Sequence, residues 1–138
     1  MKKSVFSLSV LFFAVLSFTS CKKDEIGFEQ QVTGEWHSVK VKLNGTDVTD
    51  YFMLDLDLAQ DNRFDATLKV VTFPAGSSGV SHPKGEWTAD DSSQQLELVY
   101  DDSGETESYE ILELSDTAMR VKTTQQNGDR IDITFEKL

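Results

Sequence analysis

The stretch Tyr51-Phe52-Met53-Leu54-Asp55-Leu56-Asp57-Leu58, followed after a short gap by Phe64-Asp65-Ala66-Thr67-Leu68-Lys69-Val70, decides the fold class. In the first run Phe52, Leu54, Leu56 and Leu58 share one side, and Asp55 and Asp57 share the other. In the second, Phe64, Ala66, Leu68 and Val70 alternate with Arg63, Asp65, Thr67 and Lys69. A period of two marks strands with one buried face. Ala59-Gln60-Asp61-Asn62 lies between them, and its Asp and Asn suit a tight turn. Residues 51–73 therefore read as a β-hairpin.

The same pattern extends in both directions. Upstream, 36–43 alternates with Val39, Val41 and Leu43 inward and Lys40 and Lys42 outward, and Asn44-Gly45 closes it with a strong hairpin signal. Residues 46–50 read as a loop or one helical turn. Downstream, 74–84 is the longest loop, and its two prolines and two glycines argue against regular structure. Long loops often carry binding function. Short strands follow at 85–89, 95–100, 107–114, 118–124 and 130–137, the last with Ile131, Ile133 and Phe135 inward. Asp102-Ser103-Gly104, Ser115-Asp116 and Asn127-Gly128 supply turns. No helix-period segment of useful length follows residue 25. The expected fold is all-β: about eight antiparallel strands in an up-and-down meander. Such a meander hides its edges best by closing into a barrel, either filled by side chains or holding one small ligand.

Residues 1–20 have a different character. Lys2 and Lys3 precede an uncharged run from Val5 to Phe18, rich in Val, Leu, Phe and Ala. The run is roughly 14 residues, short of the ~20 that a permanent span needs. Thr19 and Ser20 are small, and Cys21 follows directly. This is the layout of a secretory signal, and a lone cysteine behind it is best explained by lipid attachment rather than by a buried thiol. The expected organisation is a lipoprotein signal peptide at 1–20, a lipidated Cys21 with a tether over 21–33, and a barrel domain over 34–138. The thiol would carry a diacylglyceryl group and the new amino terminus a further acyl chain of the palmitate kind. Two or more chains give a stable anchor. The tether, about a dozen residues, reaches at most ~40 Å.

With Cys21 lipidated, no thiol remains for a disulfide, a catalytic cysteine or a thiolate metal site. The formal charge of the full chain is -11. Loss of Lys2 and Lys3 leaves 24 acids against 11 bases. Such a surface repels nucleic acid, which requires a basic footprint.

Thr33-Gly34-Glu35-Trp36 opens the first strand, Gly85-Glu86-Trp87 recurs mid-chain, and Leu96-Glu97-Leu98 and Leu114-Ser115-Asp116-Thr117-Ala118-Met119 follow. In this order the chain resembles the small lipocalin-like domains of Bacteroidota lipoproteins over about residues 32–138. The resemblance implies that Trp36 closes one end of the barrel under a cationic side chain from a late strand, with Arg120 and Arg130 both open as that partner. It implies an outer-membrane, lipid-anchored location. Phe18, where the usual signal has Leu, resembles the looser signals of that group. Lys22-Lys23-Asp24-Glu25 resembles its surface-export signals, with a solvated tether as the equal alternative. Asp116-Thr117-Ala118 resembles its O-glycosylation acceptor, with Thr117 as the modified residue, beside the plainer reading of a tight turn. Larger lipocalins add a flanking helix that this chain is not expected to have.

No catalytic constellation stands out, and neither an enzyme activity nor a cofactor is expected. His37 lies in phase with Val39 and is expected to face inward, while His82 sits in the long loop; two isolated histidines do not make a metal site. Asp55, Asp57, Asp61 and Asn62 lack the glycine and closing Glu of an EF-hand loop. Gly76-Ser77-Ser78-Gly79 does not match a nucleophile elbow. The expected function is a membrane-anchored barrel that binds a small apolar molecule, with Phe52, Phe64, Tyr100, Tyr109 and Phe135 lining the interior or one mouth. The alternative is a filled barrel acting as a structural or protein-interaction component of an outer-membrane assembly, supported by the apparent lack of clustered inward polar groups.

Overall fold

The computed structural model describes residues 26–71 and 78–138. The signal peptide, Cys21, the 22–25 cluster and residues 72–77 of the long loop lie outside the described residues. The described chain forms ten strands: β1 (Gly34–Leu43), β2 (Thr46–Asp47), β3 (Phe52–Leu58), β4 (Arg63–Val71), β5 (Ser78–Ser81), β6 (Lys84–Asp90), β7 (Gln95–Tyr100), β8 (Thr106–Leu114), β9 (Ala118–Thr124) and β10 (Arg130–Lys137). A short helix, α1 (Phe28–Val32), and one 3-10 turn (Thr49–Tyr51) complete it. Strands β1, β3, β4, β6, β7, β8, β9 and β10 pair antiparallel in chain order, and β10 returns to β1. The result is the expected closed eight-stranded barrel. Closure removes the free edges that an open meander would expose.

Local chemistry explains the turns. Asn44 (φ 50) and Gly45 (φ 85) both adopt the left-handed region, and Leu43 pairs with Thr46 across them. This is the two-residue turn whose twist matches that of a hairpin.

Three expectations about local structure are corrected. First, α1 stands within the stretch read as a tether; five residues are too few to show a helical period. It is nevertheless docked, since Val32 is fully buried. Second, Val39 faces outward and is 38% exposed, while Trp36, Ser38 and Val41 face the core. The pairing of β1 with β10 shifts register between Ser38 and Lys40. An extra residue at such a β-bulge switches the face of everything beyond it. Ser38 Oγ accepts the Leu54 amide at 2.8 Å beside this irregularity. His37, in phase with Val39, likewise lies on the outer side, against Asp55.

Third, the loop 74–84 contains strand β5. Leu68 to Val71 pair with Ser81 to Ser78, in the same register in which Arg63 to Asp65 pair with Glu86 to Lys84. β5 and β6 are thus one strand interrupted at His82-Pro83. Proline cannot donate to a ladder, but the Pro83 carbonyl still accepts the Ala66 amide at 2.9 Å. All four β5 residues are exposed. With neither face buried, no alternation could announce the strand.

The core runs through the barrel and is tightest at the pole where β1 begins. Trp36, Trp87, Phe135, Leu58, Leu96 and Met119 are at most 1% exposed there. Both indoles reach a backbone acceptor: Trp36 Nε1 donates to the Val32 carbonyl at 2.8 Å and Trp87 Nε1 to the Ala59 carbonyl at 2.9 Å. A buried indole N–H without such a partner would be costly.

Candidate functional site

The two poles of the barrel differ, and the difference places the site. At the closed pole, helix α1 lies over the end and Trp36 plugs it. The cation over Trp36 is Lys137, with Nζ 4.9 Å from the ring centroid. This corrects the choice between Arg120 and Arg130: Arg120 reaches Glu113 on the outer surface and Arg130 is exposed. Lys137 Nζ also donates to the Gln31 carbonyl at 3.3 Å, so one side chain ties β10, β1 and α1 together. Gly34 makes room for it. Its φ is +138, and a Cβ there would lie 2.3 Å from Lys137 Cε. The Gly-x-Trp opening is therefore one device, in which the glycine admits the lysine stem and the tryptophan receives its charge. Thr117 sits exposed in the turn between β8 and β9 at this pole, its carbonyl accepting the Lys137 amide.

At the opposite pole the barrel is not filled. An apolar cavity of about 210 Å³ opens between residues 52–56 of β3, residues 64–68 of β4, the end of β7, the start of β8 and the start of β10. Of the five aromatics expected to line the interior or one mouth, Phe52, Phe64, Tyr100 and Tyr109 line this cavity. Phe135 does not; it lies deep at the closed pole, paired with Met119 and 1% exposed. Phe64 and Tyr100 meet edge to face, with centroids 5.6 Å apart and planes at 89°, a favourable aromatic geometry. Leu54, Leu56, Ala66, Leu98 and Ile133 complete the apolar wall.

Glu107 also lines the cavity, and the sequence reading missed it. It lies opposite Leu98 in the β7–β8 ladder and in phase with Tyr109 and Ile111, so it faces inward. Tyr100 Oη donates to its carboxylate at 2.5 Å. Burial, and then the bond to Glu107, pushes the Tyr100 hydroxyl far above the ordinary phenol range. Burial first, then the nearby Glu107 charge and Tyr100, raises Tyr109 as well. The inward side thus carries a cluster of two protonated phenols and one acceptor, contrary to the expectation that inward polar groups are not clustered. The signal was present: the phase of Tyr109 and Ile111 projects Glu107 onto their face.

A pH dependence follows. Both hydroxyls hold their protons in the folded state beyond the ordinary phenol value near 10, so they contribute stability that is complete below that value. The contribution is lost as pH rises further, because the unfolded chain releases the protons first. Tyrosinate absorbance is expected to show two phenols ionising only as far-UV dichroism reports unfolding. Early ionisation of both in folded protein would contradict the arrangement.

A more open polar groove of about 530 Å³ crosses β8 and β9 outside this pole and shares Tyr100, Glu107 and Gln125 with the cavity. The other singled-out residues lie elsewhere. Asp61 caps the Arg63 amide, Asn62 bridges Glu29 and the Trp87 carbonyl, and His82 contacts Thr67 on the exposed β4–β5 hairpin. Among the described residues no three His, Cys, Asp or Glu side chains converge as metal ligands.

A closed eight-stranded meander with a plugged pole and an open pole invites comparison with solved folds. A lipocalin-like protein from Bacteroides uniformis superposes with a TM-score of 0.52 at 14% identity, covering 78% of this chain and 99% of that one. The fold is lipocalin-like. The lipocalin-like barrel also aligns with a bovine odorant-binding protein in complex with a selenium-containing odorant, at a TM-score of 0.49, 16% identity and coverage of 81% and 73%. No family model matches the chain. In sequence, 99 residues are 27% identical to the gliding motility lipoprotein GldH homolog of Christiangramia forsetii, covering 62% of this chain and 61% of that protein. The match therefore spans less than two thirds of that relative's length.

Proposed function

We propose that the lipocalin-like barrel is a membrane-anchored binding module that holds a small apolar molecule at its open pole, with Cys21 as the lipid-bearing residue at the outer membrane. The observation that carries this reading is the 210 Å³ apolar cavity. It exceeds the ~150 Å³ of an engineered cavity that stays dry and takes up benzene, and it falls below the ~300–1,000 Å³ typical of drug-sized sites. A single-ring or short-chain molecule fits that range. Apolar walls with a few converging polar groups are the usual make-up of such sites. The likeness to a lipoprotein supports the anchor. Among the described residues, neither a nucleophile with a base nor a metal-ligand cluster is brought together at the cavity, and its groups support binding.

Native mass spectrometry of the chain made in its own host with Cys21→Ser tests the proposal. A small-molecule mass that is retained on gentle ionisation and lost on denaturation is expected. A bare polypeptide mass, unchanged after exposure to host extracts, would instead favour the second reading, in which the barrel is a structural or protein-interaction component of an outer-membrane assembly. The name of the sequence relative, a gliding motility lipoprotein, is what favours that alternative. O-glycosylation of Thr117 belongs to the same proposal. Its exposed turn suits modification, and intact mass decides it.

A further inference from the structure

Size alone admits many molecules to an apolar cavity, so its polar groups decide which are kept. Among the described residues lining this cavity, Glu107 is the one charged side chain, and no cation faces it there. An ionised carboxylate only accepts hydrogen bonds and offers about four acceptor positions, more than the Tyr100 and Tyr109 hydroxyls fill. Tyr100 Oη donates to one carboxylate oxygen at 2.5 Å, which leaves acceptor positions open toward the cavity. The rim adds more negative charge. Glu105 lines the adjoining groove, and Asp102 lies close enough to act on the Tyr100 hydroxyl. Of the cations near this pole, Arg63 is engaged on the outer surface by Asp101 and Lys84 by Asp65.

We infer that the cavity, taken as the binding site proposed above, selects single-ring or short-chain molecules whose polar head donates hydrogen bonds, a primary amine before an alcohol, and rejects carboxylates. An ammonium head supplies the opposite charge that the cavity lacks and donates to the open acceptor positions of Glu107. An alcohol supplies the donor without the charge. A carboxylate head brings a like charge against Glu107 in a site with no cation to offset it. The acidic rim adds attraction for a cation before entry.

The test uses four probes of one shape: 2-phenylethylamine, 2-phenylethanol, phenylacetate and ethylbenzene. Each is titrated calorimetrically into the full chain at neutral pH. The amine is expected to bind at least about tenfold more tightly than ethylbenzene, and phenylacetate at least about tenfold more weakly than the alcohol. The isosteric Glu107→Gln is expected to bring the amine down to the level of the alcohol, with far-UV dichroism and thermal unfolding reporting that the variant is folded. Equal binding of all four, phenylacetate binding as well as the amine, or an amine preference that survives Glu107→Gln would overturn the inference while the cavity reading stands. No binding by any probe, ethylbenzene included, would overturn both.

Discussion

Trp36→Ala is expected to lower the unfolding free energy by about 3–5 kcal/mol, the usual cost of truncating a large buried aromatic. The ring is fully buried, its Nε1 satisfies the Val32 carbonyl, and its face carries Lys137. Truncation would open a cavity at the closed pole and release α1, β1 and β10 from their shared contact. For a domain of this size the midpoint should fall by more than about 10 °C. Trp36→Phe keeps most of the packing and loses the indole bond, so a loss nearer 1–2 kcal/mol is expected. Urea unfolding followed by far-UV dichroism checks both. A Trp36→Ala loss under about 1 kcal/mol would show that the plug is not what holds this pole.

The second large effect belongs to a residue with no side chain. A Cβ built on Gly85 would lie 1.8 Å from the Val99 carbonyl oxygen and 2.7 Å from the Phe64 ring. The first of these is backbone in the neighbouring strand, paired with β6 through Glu86 and Val99, and it cannot swing aside. Gly85→Ala should therefore push β6 from β7 and cost about 3 kcal/mol, the upper part of the range for overpacked sites. Phe64 also lines the cavity, so the same change should disturb the open pole. Gly79→Ala is the matching control, since a Cβ there meets nothing within 4 Å; a change within about 0.5 kcal/mol is expected. The same denaturant series separates the two. Equal effects at Gly85 and Gly79 would mean that the close approach of β6 to β7 is relieved at little cost.

The elements legible in the sequence were those with one wet and one dry face. From Phe52 to Leu58 and from Ile131 to Phe135 every second residue is buried or partly buried, and the alternation follows from that. Asn44-Gly45 was legible because left-handed backbone demands those residue types. The misses have equally physical causes. Val39 is apolar, so its alternation with Lys40 runs smoothly across a bulge that only the register with β10 defines. Strand β5 is wet on both sides, and α1 is barely longer than one turn. The partner of Trp36 could not be chosen because four basic residues lie on the two last strands, and only the geometry of closure picks Lys137. Aromatic content pointed to four residues that line the cavity. Phe135 faces the interior away from it, because inward phase does not tell how far along the barrel axis a residue sits. Glu107 was passed over as one acid among 24.

The closed pole also determines how the molecule would bear load. β1 enters the barrel there, bonded to β10 along one side and to β3 along the other. Were Cys21 lipidated as proposed, the stretch from it to α1 would reach at most about 25 Å, which would turn the plugged end toward the lipid and the mouth away from it. A pull on the tether first meets the Val32–Trp36 bond and the Lys137 bridge to Gln31. Beyond them it acts along β1, across ladders whose bonds lie perpendicular to the strand. Those bonds must shear together instead of peeling one at a time. The same stitching that seals one end against water makes the barrel a firm attachment point, and the cavity at the far end stays out of the line of force.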